Sequence, residues 1–76
     1  MQNLLEFLLI HLVDHPESVK IEEIPEAHTT RYILHVHPED MGRVIGKKGS
    51  VIDAIRKIAK IRAIKENLHV TIDVAE

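Results

Sequence analysis

Residues Val44–Ile52 read Val-Ile-Gly-Lys-Lys-Gly-Ser-Val-Ile. Gly46 and Gly49 bracket Lys47 and Lys48, so a sharp, cationic bend separates a short apolar run from the residues that follow. Glycine lacks Cβ, which opens left-handed backbone conformations and lets another backbone come close. The segment after Gly49 has the spacing of an amphipathic helix. Its first N–H groups have no intrahelical acceptor, and they carry the positive end of the helix dipole. Two lysines at that same place make a bend suited to a phosphodiester backbone.

Charge follows the same division. The chain has 76 residues and a net charge of −2. Between Arg43 and Lys65 stand eight bases and the single acid Asp53, a local charge of +7, which leaves −9 for everything else. A protein that meets a polyanion needs only one basic face. With 45% hydrophobic and 29% charged residues the composition is that of a globular chain rather than a disordered one. The length suits one small domain, residues 1–76, of modest stability, which association with a second copy would raise. The absence of cysteine excludes disulfide and thiolate sites. The N-terminal stretch has no basic n-region, and it is too short and too interrupted by Glu6 and His11 to cross a bilayer. A cytoplasmic protein without a membrane partner is the expectation.

Leu4–His15 is apolar almost all round a helical wheel, with a narrow polar strip of Asn3, Glu6 and Asp14. Such a helix buries more than one side, and its outer side is expected to meet a partner chain. Pro16 is expected to end it. Ser18–Glu23 and Thr30–His37 alternate as strands joined by a short loop, which predicts an antiparallel hairpin. Pro38-Glu39-Asp40 opens a short helix with proline and acids in its first turn. Ser50 and Asp53 have the spacing of a capping box for the long helix. That helix is expected to bury a broad face of Val51, Ile52, Ala54, Ile55, Ile58, Ala59 and Ile61. Arg62 falls within this face, so the helix is expected to lose register near residue 62 or to pass beyond the sheet there. Leu68–Val74 alternates as a third strand.

The frame Val-Ile-Gly-x-x-Gly-x-x-Ile, set between two helices and preceded by strands, resembles the KH domain, whose GXXG loop clamps about four backbone nucleotides of a single strand. The element order αββααβ resembles the second KH topology. It implies an α+β fold with a three-stranded mixed sheet and three helices on one face. The likeness spans nearly the whole chain and is nearest to the small single-domain bacterial KH proteins of the KhpA family. It implies single-stranded RNA as partner, and a role as RNA chaperone or post-transcriptional regulator. It also implies action as a homodimer or with a second KH-containing protein. Carried over by residue, Gly46 and Gly49 lie against phosphates and Lys47 and Lys48 supply charge. Arg43 and Ser50 flank the loop, and Ile45 and Ile52 are candidates for the groove wall, with core packing an equal alternative for both. Arg56, Lys57 and Lys60 extend the positive field. Acids at positions 47 and 48 would have disabled the loop.

Other classes fare less well. One Phe and one Tyr cannot build the aromatic platform on which other single-strand binders stack bases. No nucleophile–base spacing suggests an enzyme, and no cofactor is expected. His35, His37 and His69 could share one sheet face and gather a zinc ion, but exposed strand histidines are the plainer reading, and no metal is expected there. An assembly module with weak or no RNA binding, or a binder of single-stranded DNA, remain the alternatives.

Overall fold

The computed structural model describes residues 1–75. The described residues form a three-stranded mixed sheet with helices packed on one face, the expected α+β architecture. Helix α1 spans Gln2–Ile10, strand β1 Lys20–Pro25, strand β2 Thr30–His35, helix α2 Met41–Ile45, helix α3 Ser50–Lys65 and strand β3 Val70–Val74. Short 3-10 turns at Pro16–Ser18, Pro38–Asp40 and Lys47–Gly49 link them.

The sheet order is β1-β2-β3. β1 and β2 pair antiparallel with Lys20 opposite His35 and Pro25 opposite Thr30. Pro25, which cannot donate to a ladder, lies on an edge strand where that is tolerated. β2 and β3 pair parallel, with Thr30 opposite Val70 and Leu34 opposite Val74. A parallel pair needs a crossover long enough to return the chain. Here α2, the glycine turn and α3 are that crossover, so the fold itself holds the turn over one end of the sheet.

The core joins Leu5 and Leu9 of α1, Tyr32 and Leu34 of β2, Val44 of α2, Ile52, Ile55 and Ala59 of α3 and Ile72 of β3. Along α3 the buried stripe is Ile52, Ile55, Ala59 and Ala63, narrower than expected. Ile58 and Ile61 face outward, because one small sheet covers only about a 100° arc of the helix. Arg62 neither breaks the helix nor enters the core. Its side chain is half exposed and pairs with Glu66 at 3.7 Å.

Two boundaries differ from the expectation. The regular part of α1 stops at Ile10, well before Pro16. The N–H groups of Asp14 and His15, which would have continued the helix, instead donate to the carboxylate of Asp40 at 3.0 Å each. Proline then opens a separate turn. β1 begins two residues later than expected and includes Pro25, the loop closing with Glu26 N–H donating to Thr29 O at 2.8 Å.

Candidate nucleic-acid interface

The turn owes its shape to two positive-φ glycines and one left-handed lysine. Gly46 sits at φ 77°, ψ 173°, and an added Cβ would lie 2.7 Å from the backbone nitrogen of Val51. Lys48 follows at φ 56°, ψ 28°, and Gly49 at φ 77°, ψ 13°. Gly49 N–H donates to Gly46 O at 3.1 Å, which closes the turn. At Gly49 the space is open, with no atom nearer than 4.0 Å to an added Cβ. One glycine thus allows tight packing beneath the loop, and the other allows approach from outside.

The lysines are where a ligand could reach them. Lys47 and Lys48 are exposed. Among the described residues no carboxylate oxygen lies within ion-pair distance of either ammonium group. The capping box does not form: Gly49 is the N-cap of α3, no side chain caps it, and Ser50 is the exposed first residue of the helix. Asp53 turns instead toward Arg56, 3.4 Å away. The positive helix end therefore points out beside two free ammonium groups, an arrangement that attracts an anion.

The neighbouring residues divide. Arg43 is exposed on α2 and pairs with Asp14 at 3.1 Å. Ile45 is 37% exposed and can offer an aliphatic wall. Ile52 lies in the core, 6% exposed, and supports the turn from beneath. Lys57 is exposed on the outside of α3.

Arg56 and Lys60 face a groove of about 810 Å³ between α3 and β3. Its other lining residues include Thr29, Asn67, His69 and Thr71. At 1.5 Å rise per residue, Arg56 stands about 10 Å along the helix from Gly49, so the groove continues away from the turn. Among the described residues β3 has a strand neighbour only on its β2 side, which leaves the other edge facing this groove. Arg56 Nε donates to Ile72 O at 3.0 Å, and the guanidinium also approaches Asp73 at 3.9 Å. Sequence reasoning placed Arg56 and Lys60 on a general cationic face and missed this edge, since its detection needs the strand order.

Asp40 holds the site from behind. It is 1% exposed. Burial alone would raise its pKa, but the N–H donors of Asp14 and His15, aided by the His15 and His37 rings, bring it below the usual aspartate value. The carboxylate ties the end of α1 to the start of α2, and so fixes the helix that leads into the turn.

The strand-face histidine trio does not assemble. His35 contacts Glu22 at 3.0 Å, His37 lies beyond the end of β2, and His69 is exposed before β3. Among the described residues the group that does come together is His15, His37 and Glu39.

A family model described as "KhpA/KhpB, KH domain" matches residues 2–74. The chain belongs to this KH-domain family. Among its curated relatives, RNA-binding protein KhpA of Clostridium perfringens is 43% identical over 74 residues, covering 97% of this chain and 99% of the relative. RNA-binding protein KhpA of Halalkalibacterium halodurans is 38% identical over 76 residues and the whole of both chains. RNA-binding protein KhpA of Chlamydia pneumoniae is also 38% identical, over all of this chain and 97% of its own length. No solved structure matches the chain. Membership in the family agrees with the order αββααβ, the mixed sheet and the glycine turn. Among the described residues no helix is long and apolar enough to cross a membrane.

Proposed function

We propose that this chain binds single-stranded RNA, with the Gly46–Gly49 turn gripping the sugar–phosphate backbone. The observation that carries the reading is the pair of exposed lysine ammonium groups, without carboxylate partners among the described residues, beside the uncapped end of α3. Lys47 and Lys48 supply charge, and Ser50, Arg43 and Ile45 flank the strand. Ile52 serves from below as packing. Arg56, Lys57 and Lys60 extend the field along α3. The chain acts as a binding protein rather than a catalyst, in the cytoplasm, as an RNA chaperone or post-transcriptional regulator. Membership in a family whose curated relatives are named RNA-binding proteins supports this reading.

A gel-shift titration with unstructured RNA tests it. Lys47→Asp/Lys48→Asp, folded by circular dichroism, is expected to lose most binding. Each phosphate contact on a single strand contributes about 0.7 to the slope of log affinity against log salt. Restoring neutral side chains as Lys47→Gln/Lys48→Gln is therefore expected to flatten that slope by about 1.4. Unchanged affinity and slope refute the loop mechanism.

A grip on so few nucleotides gains from duplication through effective concentration. We infer that the chain works as a homodimer or with a second KH-containing protein. An apolar trough between α1 and α3, lined by Phe7, Leu8, Leu12, Val51, Ala54 and Ile58, supports this. Phe7 is 58% and Ile58 41% exposed. Phe7→Glu or Ile58→Glu is expected to convert a sedimenting dimer to monomer. A wild type that is monomeric at tens of micromolar, and that captures no second KH protein when mixed with one, overturns it.

A further inference from the structure

The tripeptide His-Pro-Glu occurs twice, at 15–17 and at 37–39. Both copies enter a 3-10 turn, though the backbone differs at the histidine, with His15 at φ −121°, ψ 68° and His37 at φ −60°, ψ 140°. The histidine precedes a 3-10 turn whose first residue is the proline, at Pro16–Ser18 and at Pro38–Asp40. The fold lays the two copies against each other, with the His15 and His37 rings 4.0 Å apart between centroids and 22° from parallel. Buried Asp40 fastens them, since its carboxylate accepts the N–H of His15 from the first copy while its own backbone belongs to the second turn. Two distant segments are thus held as one unit, and nothing in the RNA reading uses their side chains.

The side chains present a donor set. His15 Nε2 lies 3.5 Å from Glu39 Oε2, and His15 Nδ1 lies 3.6 Å from Glu17 Oε1. One donor atom each of His15, His37 and Glu39 fall within 4.8 Å of one another. With metal–ligand bonds near 2.0–2.2 Å, two ligands of a tetrahedral zinc ion stand about 3.3–3.5 Å apart. The His15–Glu39 separation already meets that requirement. A ligating histidine also commonly donates its other ring N–H to a carboxylate, which fixes the tautomer. Glu17 Oε1, 3.6 Å from His15 Nδ1, lies just beyond hydrogen-bond distance, and a small side-chain adjustment would let it take this role and leave the Nε2 lone pair toward Glu39.

We propose that the paired His-Pro-Glu turns form a site for a divalent transition-metal ion of the zinc type, held by His15, His37 and Glu39. Water takes the fourth position, and Glu17 orients His15. Two imidazoles and a carboxylate without sulfur favour zinc, cobalt or nickel over magnesium or calcium. Stacked rings hold their in-plane lone pairs side by side, so His37 must rotate for its nitrogen to converge on the ion. That rotation gives up one exposed hydrogen bond, the one its Nδ1 accepts from Glu39 N–H at 3.1 Å. His37 is only half-buried, which leaves it room to turn. Exposed carboxylates and this rearrangement make the site weaker than a closed structural zinc site.

The test is isothermal titration of zinc chloride into the full chain in a non-chelating buffer. The expected result is saturable binding of one ion per chain. His15→Gln and His37→Gln should each abolish it, while His28→Gln and His35→Gln leave it intact. Glu39→Gln should weaken binding at least tenfold, and Glu17→Gln about tenfold. Circular dichroism checks the fold of each variant. Should the His15 or His37 variants unfold, histidine ring resonances of the wild type decide instead: on zinc addition those of His15 and His37 should move together. No saturable heat, heat that survives His15→Gln/His37→Gln, half an ion per chain, or a response confined to His28, His35 or His69 each overturn the site.

Discussion

The three glycines of this chain stand within eight positions of one another, and substitution by alanine should have a different sign or size at each. Gly42 lies exposed within α2, and nothing comes within 4 Å of an added Cβ. Alanine there gains helix propensity of about 1 kcal/mol. Gly49, at φ 77° with open space around it, imposes only the left-handed cost of about 1–2 kcal/mol. Gly46 combines φ 77° with an extended ψ, a region only glycine adopts readily, at about 1–3 kcal/mol. Its Cβ would also meet the Val51 backbone nitrogen at 2.7 Å. That atom lies in the first turn of α3 and cannot yield alone, which adds about 1–3 kcal/mol of overpacking. The sum at Gly46 is about 2–6 kcal/mol, against a total of about 4–11 kcal/mol for a domain of this length. Urea unfolding followed by helical circular dichroism measures all three. The expected order is Gly42→Ala above wild type, Gly49→Ala modestly below, and Gly46→Ala far below or unfolded. At about 4–8 °C per kcal/mol, heating should separate them as clearly. Equal losses at Gly46 and Gly49, or a loss at Gly42, refute the reading of the turn. Because Gly49→Ala should still fold, it also reports whether the outer surface of the turn must stay open for RNA.

Asp40→Ala leaves the N–H groups of Asp14 and His15 without their acceptor, and should cost about 2–4 kcal/mol by urea titration. Because the folded-state pKa of Asp40 is lowered, the stability it contributes is present above the ordinary aspartate value near 3.9 and is lost as pH falls through the folded value. Asp40→Asn should flatten that acid limb. Tyr32, the chain's one tyrosine, is raised to about 12 by burial first and then by the hydrogen bond it donates to Glu23. Its contribution is therefore full below about pH 10 and declines between there and 12. Tyrosinate absorbance should titrate near 12 in the native protein and near 10 in denaturant; coincident curves contradict the burial.

The sequence carried most of the fold because its signals were local. Proline and acids announced Pro38–Asp40, alternation announced β2 and β3, and Gly46 and Gly49 announced the turn. Where distant residues decide, the sequence was silent. The early end of α1 depends on Asp40, twenty-six positions after Asp14. The outward face of Ile58 and Ile61 depends on how much sheet is there to cover them. The groove beside β3 depends on strand order. For the candidate site, the exposed Lys47 and Lys48 and the glycine bend were legible in a nine-residue window. Ile45 and Ile52 were not separable, since only the packing puts one at the surface and the other beneath the turn. The gathering of His15 with His37 was written in a repeated tripeptide, but only the Asp40 bridge brings the copies together.

The distribution of cations bears on how such a site reads its ligand. Arg31, Arg43, Arg56 and Arg62 each have a carboxylate within 4 Å: Asp73, Asp14, Asp53 with Asp73, and Glu66. Among the described residues no lysine has one. The planar forks that could read a guanine edge bidentately are thus engaged within the chain, whereas the mobile point charges stay free. Exposed pairs of this kind are worth only about 0–1 kcal/mol each, so arginines can still lend charge to a nearby phosphate. In the structure, however, their guanidinium groups are turned to these acids. Free lysines on a turn attract phosphates of any sequence. If the turn grips RNA as proposed, affinity is expected to come from the backbone of the strand, and base preference from the apolar wall at Ile45 and the open edge of β3, where Arg56 would first release Ile72 O.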